Sequence, residues 1–242
     1  HLFFFRKMVV KPDVFIEAGA IVDVVDRNDV AIGCGFYNPK SEIAVRMLGM
    51  PEDDLIGKRL RAAAAFRESL AIPSDAYRVC HSEGDGLSGL IVDRYASVHS
   101  IEIFSMGMLK QIDALRKLFP GAFIQADKRT QELEGFTFPP EKPPEGVVIQ
   151  EHGVQFRVDF ARGHKTGFFC DQRENRKAVA DLAKGKRPAL LARKKPSVRR
   201  RQWPIPLLAV HRRVAALSSL ERRKQRTMKS TTRRVGGGFS TR

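Results

Sequence analysis

Cysteine is scarce in this 242-residue chain: Cys34, Cys80 and Cys170 are the three, far apart and without a C-x-x-C spacing. That usage excludes a disulfide framework, argues against a zinc site and fits a reducing cytosol. Long apolar runs are missing too. No stretch approaches the ~18–20 residues that span a bilayer, and His1-Leu2-Phe3-Phe4-Phe5 is too short for a secretory core of roughly 7–15 residues. Acidic residues almost vanish from the last 56 positions, where 17 Lys plus Arg stand against one acid, Glu221. The whole chain carries 43 basic and 27 acidic residues, so positions 1–186 hold 26 of each and are neutral. The charge of +16 therefore belongs to a basic run from Arg187 to Arg242 and says nothing about partners of the body. The chain opens on His rather than Met, and the reading is that its true start lies elsewhere and that the first seven residues are an artefact.

What is present organises into short alternating segments. Ala20–Val25, Ala31–Tyr37 and Ile43–Leu48 read as β-strands separated by Asp26-Arg27-Asn28-Asp29 and Asn38-Pro39-Lys40-Ser41, both with turn chemistry. Close spacing predicts a small barrel, with a hairpin on a larger sheet as the alternative. Residues 52–72 predict a helix, with Glu52, Asp53 and Asp54 near its start and Leu55, Leu60, Ala63, Ala64 and Leu70 at helical spacing. Strands at Tyr77–His81, Leu90–Tyr95 and Val98–Phe104, then a helix at Leu109–Leu118, make an α/β segment. Pro139-Pro140 and Pro143-Pro144 mark a stiff linker and a domain boundary. Beyond it, Val147–Glu151 and Val154–Phe160 predict a hairpin around His152-Gly153. A helix follows with Asp171 as cap, Glu174 completing a capping box, Gly185 as terminator, and Val179, Leu182 and Ala183 as buried stripe. There is no internal repeat.

The run Gly163-His164-Lys165-Thr166-Gly167-Phe168-Phe169-Cys170-Asp171-Gln172-Arg173-Glu174-Asn175-Arg176 carries the most chemistry. Two glycines bracket Lys-Thr, and two aromatics lead into a helix N-terminus, where free N–H groups favour an anion. Arg173 and Arg176 add cations that oppose the helix dipole unless an anion is bound. It is not a nucleotide P-loop, because His164 separates Gly163 from Lys165 and Val158 stands where the first glycine is required. From residue chemistry alone, a phenylalanine core with a solvated arginine face fits equally well.

That run closely resembles the signature of the bacterial 23S (large-subunit) rRNA cytosine-5 methyltransferase family. Gly35-Phe36-Tyr37-Asn38-Pro39-Lys40-Ser41-Glu42-Ile43-Ala44-Val45-Arg46 and Glu83-Gly84-Asp85-Gly86-Leu87-Ser88-Gly89 through Tyr95 resemble it as well, so the likeness covers roughly residues 12–186. The resemblance implies an α+β/α/β chain: a small PUA-like RNA-binding β-barrel at 1–50, an α/β linking domain at 51–146, and at 147–186 only the leading edge of a class I S-adenosylmethionine domain. It implies a cytoplasmic enzyme of rRNA processing that flips its target base, adds a cysteine thiolate to C6 and passes the cofactor's methyl to C5. Lys165, Thr166, Phe168, Asp171, Gln172, Arg173 and Asn175 would line the S-adenosylmethionine pocket. Ribosomal RNA is the implied partner, with Lys40 and Arg46 the candidate RNA contacts by charge and position. No metal and no catalytic residue is assigned: Cys170 reads as a small core hydrophobe, because the family's nucleophile lies later in its chain.

After Lys186 the sequence leaves the family's course. An apolar strand, a glycine-rich turn and an acidic residue should follow, yet Arg187-Pro188-Ala189-Leu190-Leu191-Ala192-Arg193 stands there. A shifted reading frame, giving a disordered run over 187–242, explains this; a basic RNA-binding arm is the alternative. Two functions follow: an rRNA methyltransferase whose catalytic core is incomplete in this chain, or an RNA-binding module without chemistry.

Overall fold

Four short strands separated by polar turns build the first sheet. The computed structural model describes residues 2–161 and 168–185, and the readings for Lys165, Thr166 and the basic run lie outside them. The strands are β1 (Phe3–Phe5), β2 (Ile21–Val25), β3 (Ala31–Tyr37) and β4 (Ile43–Gly49). All pairings are antiparallel, in the order β1-β4-β3-β2. The opening residues are thus part of the fold rather than an artefact: Phe3 pairs with Arg46, and Phe4 with Val45. Phe4 also packs with Val22 and Val24 around Tyr37, Val45 and Met47. The expected barrel is an open sheet, since no ladder joins β1 to β2 among the described residues. Four strands cannot enclose an interior that side chains fill. The sheet buries its second face instead, placing Cys34, Phe36 and Leu48 in the core of the next body.

That next body comprises α1 (Leu55–Ser69), β5 (Ala76–His81), β6 (Leu90–Tyr95), β7 (Val98–Ile103), α2 (Met106–Leu109), α3 (Ile112–Leu118), β8 (Phe123–Gln125) and α4 (Lys128–Glu134). Its sheet runs β5-β6-β7-β8, an antiparallel meander closed by a strand parallel to β7. Cys80, Leu90, Val92, Ile101, Ile103 and Ile124 join Leu55, Ile56 and Leu60 of α1 and the inner face of the first sheet in one core. Fully burying such a side chain contributes about 1.5–3 kcal/mol, so the two bodies share their main source of stability.

The helix expected over 109–118 is two helices. Ser105 starts the first, its hydroxyl accepting from Met108 N at 3.2 Å, and the chain resets at Gln111 before the second. Neither β8 nor α4 was read from the sequence. α4 nonetheless has both terminal signals: Asp127 accepts from Thr130 N at 3.0 Å, and Gly135 follows in the left-handed region.

The proline-rich run is pinned to the body. Phe138 is buried, and Glu141 accepts from Ile124 N of β8 at 2.9 Å and from Arg116 Nη2 at 2.7 Å. Beyond it, β9 (Val147–Glu151) and β10 (Val154–Val158) form a hairpin whose turn residues His152 and Gly153 have φ 49° and 77°. Two positive φ values are what a tight right-twisting hairpin needs. The hairpin is bonded to the approach to β5: Gln150 N donates to Asp75 Oδ1 at 2.7 Å, and Ser74 Oγ to Gln150 O at 2.8 Å. The division between compact units falls later, after Asp171.

The second unit begins with Gln172 and α5 (Arg173–Leu182). Gly185 has φ 69°, as a helix-terminating glycine should. The expected stripe is not buried: Leu182 is 70% exposed, and no residue of α5 is buried. An apolar face needs a facing element, and the described residues of this unit include none. Among the described residues no helix is long and apolar enough to cross a membrane.

Candidate functional site

The first resembling stretch turns out to be a joint. The turn after β3 and the start of β4 close around the carboxylate of Glu134, at the end of α4. Ser41 Oγ donates to Oε1 at 2.7 Å, and Arg46 Nη2 donates to the same oxygen at 2.8 Å. Asn38 Nδ2 donates to Oε2 at 3.1 Å and to the Glu134 backbone carbonyl at 2.8 Å, while Met106 N donates to Oε2 at 3.2 Å. Side-chain exposure is 13% for Arg46 and 4% for Glu134. Burial pushes the Glu134 carboxyl up, but the Arg46 guanidinium, with Ser41 and the Met106 amide, outweighs it and holds the carboxyl below its ordinary value. Arg46, read from the sequence as facing RNA, is therefore placed inside this joint, with its guanidinium over the Phe3 ring. Lys40 stays exposed, its stem lying over Gly135.

Two glycines make the close approach possible. A Cβ on Gly107 of α2 would fall 2.1 Å from Phe36 Cγ, and one on Gly35 would fall 2.6 Å from Arg46 O.

The second stretch, Glu83–Gly89, is a self-bonded turn between β5 and β6. Ser88 Oγ donates to Glu83 Oε1 at 2.8 Å, and Gly89 N donates to Ser82 Oγ at 2.9 Å. Burial raises the Glu83 carboxyl, while its own backbone amide and the Ser88 and Ser82 hydroxyls bring it lower on balance. From α1, Arg67 forks onto Asp85 at 2.5 and 2.8 Å, and Arg59 donates to Gly86 O at 2.5 Å. Bidentate guanidinium–carboxylate geometry is the strong form of this contact.

The third stretch is divided between the two units. In the first, Phe168 packs on Phe156 with ring centroids 5.4 Å apart and belongs to the cluster of Ala76, Tyr95, Ile149 and Val158. Cys170 packs on the same cluster, as its reading as a small hydrophobe requires. The Tyr95 hydroxyl bonds both backbone polar groups of Phe168, donating to its carbonyl at 3.2 Å and accepting from its N–H at 3.3 Å. Asp171 lies in a short 3-10 turn, Cys170–Gln172, and does not cap the helix. The cap position is Gln172, which makes no side-chain cap bond; its side-chain Oε1 accepts from Asn175 Nδ2 at 2.8 Å. The expected capping box is absent because the 3-10 turn shifts the start by one residue, and Glu174 pairs with Arg173 at 2.9 Å. The geometry thus holds Gln172, Arg173 and Asn175 together in the first turn of α5.

Other sources of chemistry are few. Cys34 and Cys80 are buried, with burial raising both thiols, Cys80 to about 12. Among the described residues no cluster of His, Cys, Asp or Glu could hold a metal. A cleft of about 750 Å³ opens on the outer face of the first sheet beside Phe4, Val24, Ile32 and Tyr37. Its charged lining is Asp23, Asp26 and Asp29 against Lys7 and Arg27, which does not make a phosphate surface.

The fold is a PUA-like domain followed by a mixed α/β body, an arrangement shared with two solved structures described as methyltransferases. Residues 1–49 match the family of PUA-like domains. A protein from Streptococcus mutans assigned as a SAM-dependent methyltransferase superposes with a TM-score of 0.56 at 17% identity, covering 74% of this chain and 50% of that one. A methyltransferase crystal structure complexed with SAH gives 0.57 at 18%, with 74% and 49% covered.

Particular relatives are closer in sequence. "Ribosomal RNA large subunit methyltransferase I" of Photobacterium profundum is 33% identical over 187 residues, 70% of this chain and 47% of the relative. The protein of the same name from Alteromonas mediterranea is 36% identical over 201 residues, with 76% and 51% covered. "Ribosomal RNA large subunit methyltransferase" of Deinococcus radiodurans is 33% identical over 195 residues, with 71% and 48% covered. The chain spans about half the length of the curated relatives it matches.

Proposed function

We propose that the chain is the RNA-recruiting half, with the leading edge of the catalytic domain, of a bacterial methyltransferase acting on cytosine C5 of large-subunit ribosomal RNA in the cytoplasm. One observation carries the reading: relatives from distant bacteria that share 33–36% identity with it over 187–201 residues are all named as large-subunit rRNA methyltransferases. S-adenosylmethionine, when bound, supplies an electrophilic methyl group. Lys165, Thr166, Phe168, Asp171, Gln172, Arg173 and Asn175 contribute to its pocket in this reading, supported by their match to the family signature.

The donor set of the first turn of α5 fits the carboxylate end of such a ligand. Arg173 puts a cation there, where the helix dipole already favours an anion, and its side chain is only 19% exposed. Gln172 and Asn175 orient each other through one bond. No described cysteine offers a nucleophile to C6, since Cys34 and Cys80 are buried and Cys170 packs on the Tyr95 cluster. The basic run from Arg187 is read as a shifted frame; translating all three frames across codons 180–195 tests that. On the RNA side, Lys40 is the exposed cation, and Arg46 acts behind it by fixing the turn that carries it.

Titrating the full chain with S-adenosylmethionine tests whether this leading edge holds the cofactor without the glycine-rich turn: saturable binding that Arg173→Ala weakens about tenfold, with binding of a large-subunit rRNA fragment unchanged, is the result expected if the signature residues suffice. Lys40→Ala should lower RNA affinity and reduce the salt slope by about one. RNA binding without saturable cofactor binding at millimolar concentration would leave the RNA-binding module and remove the cofactor reading.

A further inference from the structure

Tyr95 ends β6 inside the linking body and is fully buried, yet its hydroxyl serves no strand. A phenylalanine would fill the same space: the ring packs edge-on against Phe160 with centroids 5.5 Å apart, inside a cluster of Ala76, Ile149 and Val158. The hydroxyl instead bonds both backbone polar groups of one residue 73 positions away, donating to Phe168 O and accepting from Phe168 N. Phe168 O also accepts from Cys170 N at 3.2 Å, closing the turn that leads to Asp171. One side chain therefore ties down the two successive peptide groups on either side of the Phe168 Cα, where this turn opens. The Phe168 ring, held against Phe156 of β10, adds a second point of attachment on the hairpin.

We propose that Tyr95 is a positioning residue for the cofactor-facing segment: through its hydroxyl the sheet of the linking body sets the path of residues 168–171 at the edge of the S-adenosylmethionine pocket. This rests on the cofactor reading given above. The physical basis is that a buried hydroxyl bonded to both the N–H and the C=O of one residue removes the local freedom on which pocket shape depends, and pre-organisation of that kind raises affinity by lowering the ordering cost of binding. The linking body is then more than a spacer between an RNA-binding domain and a catalytic one, because it aligns one wall of the cofactor site.

Tyr95→Phe removes the hydroxyl and keeps the ring. Phe160→Leu serves as the comparison, since it disturbs the same aromatic cluster and leaves the two hydroxyl bonds. Both are made in the full chain and compared by amide hydrogen exchange, thermal melting and S-adenosylmethionine titration. Tyr95→Phe should speed exchange of the Phe168 amide about tenfold, confined to residues 168–172, and weaken cofactor binding by about the same factor with little change in melting temperature. Phe160→Leu should lower the melting temperature and leave the dissociation constant unchanged. Equal cofactor affinity in Tyr95→Phe and wild type would overturn the proposal. Should wild type bind no cofactor, the cofactor reading fails by itself and exchange decides about Tyr95: local acceleration at Phe168 supports the anchor, and an unchanged rate refutes it.

Discussion

Glu134→Ala is the substitution whose effect follows most directly from the structure. It removes a carboxylate that accepts from Ser41, Arg46, Asn38 and Met106 N, and it leaves the Arg46 guanidinium, 13% exposed, without its carboxylate. Removing one partner of a buried ion pair costs about 3–5 kcal/mol. In a domain of this size each kcal/mol moves the melting temperature by about 2–4 °C, so a fall of roughly 6–20 °C is expected. Glu134→Gln keeps an acceptor oxygen and loses the charge, so it should cost less, about 1.5–3 kcal/mol. Combining it with Arg46→Met should show a coupling of about 0.5–3 kcal/mol between the two sites. The dependence on pH has a definite sign. Glu134 titrates below its ordinary value of 4.5 in the fold, so the stability it contributes is complete above about pH 4.5 and is lost as pH falls through the folded value. The gap between wild type and Glu134→Gln should close there. Calorimetry across pH 3–8 reads all of this. A melting temperature for Glu134→Ala within about 2 °C of wild type at neutral pH, or a gap that widens on acidification, would refute the reasoning.

Gly107→Ala would set a methyl 2.1 Å from Phe36 Cγ, an overpacking that costs about 1–3 kcal/mol or more; Phe36→Leu should recover part of the loss in the double mutant, and additive losses would show that the ring is not the obstacle. Asp85→Asn breaks the fork from Arg67 and should destabilise by about 3 kcal/mol, read by urea denaturation as a lower midpoint at constant slope. Cys80, buried and with its thiol pushed up to about 12, should resist a thiol reagent at pH 8 until denaturant is added; labelling of the native protein within minutes would contradict its placement.

Much of the fold was legible because its signals are local. β3, β6 and β9 fall where short apolar runs bounded by turn residues put them, and His152-Gly153 marks its hairpin. What escaped depended on partners remote in sequence. β1 is three phenylalanines with no alternation to read, and only β4 makes it a strand. β8 is equally short, and its place beside β7 is set by tertiary pairing. α4 was different: Asp127 and Gly135 announced it, but a seven-residue helix with one buried side chain, Glu134, leaves no apolar stripe to find. The start of α5 moved because a 3-10 turn took the residues that a capping box would have used.

These misses bear on what the resemblance detected. In each of its three stretches, described residues are held by partners remote in the chain. Asn38–Arg46 closes on Glu134 of α4, a helix that was not anticipated, and so lost its partner when read as sequence; Arg46 then looked like a cation facing RNA. Glu83–Gly89 is held by Arg59 and Arg67 from α1. Phe168 is held by Tyr95. In each case a short run is bound by side chains 18 to 96 residues away in the chain, which is why residue chemistry alone could not separate a site from a surface. A charged residue at a joint and one at a ligand site look alike in sequence, since both must be desolvated and both need a geometric partner. The distinction comes from where the partner is. Arg46 has its carboxylate inside the body, whereas Arg173 sits at a helix N-terminus paired only with its own neighbour, Glu174, which is 71% exposed. A pair whose carboxylate lies mostly in solvent contributes little to stability, so the Arg173 guanidinium, itself 19% exposed, is able to exchange Glu174 for an anionic ligand, and that difference singles out Arg173 over Arg46 as the first arginine to mutate.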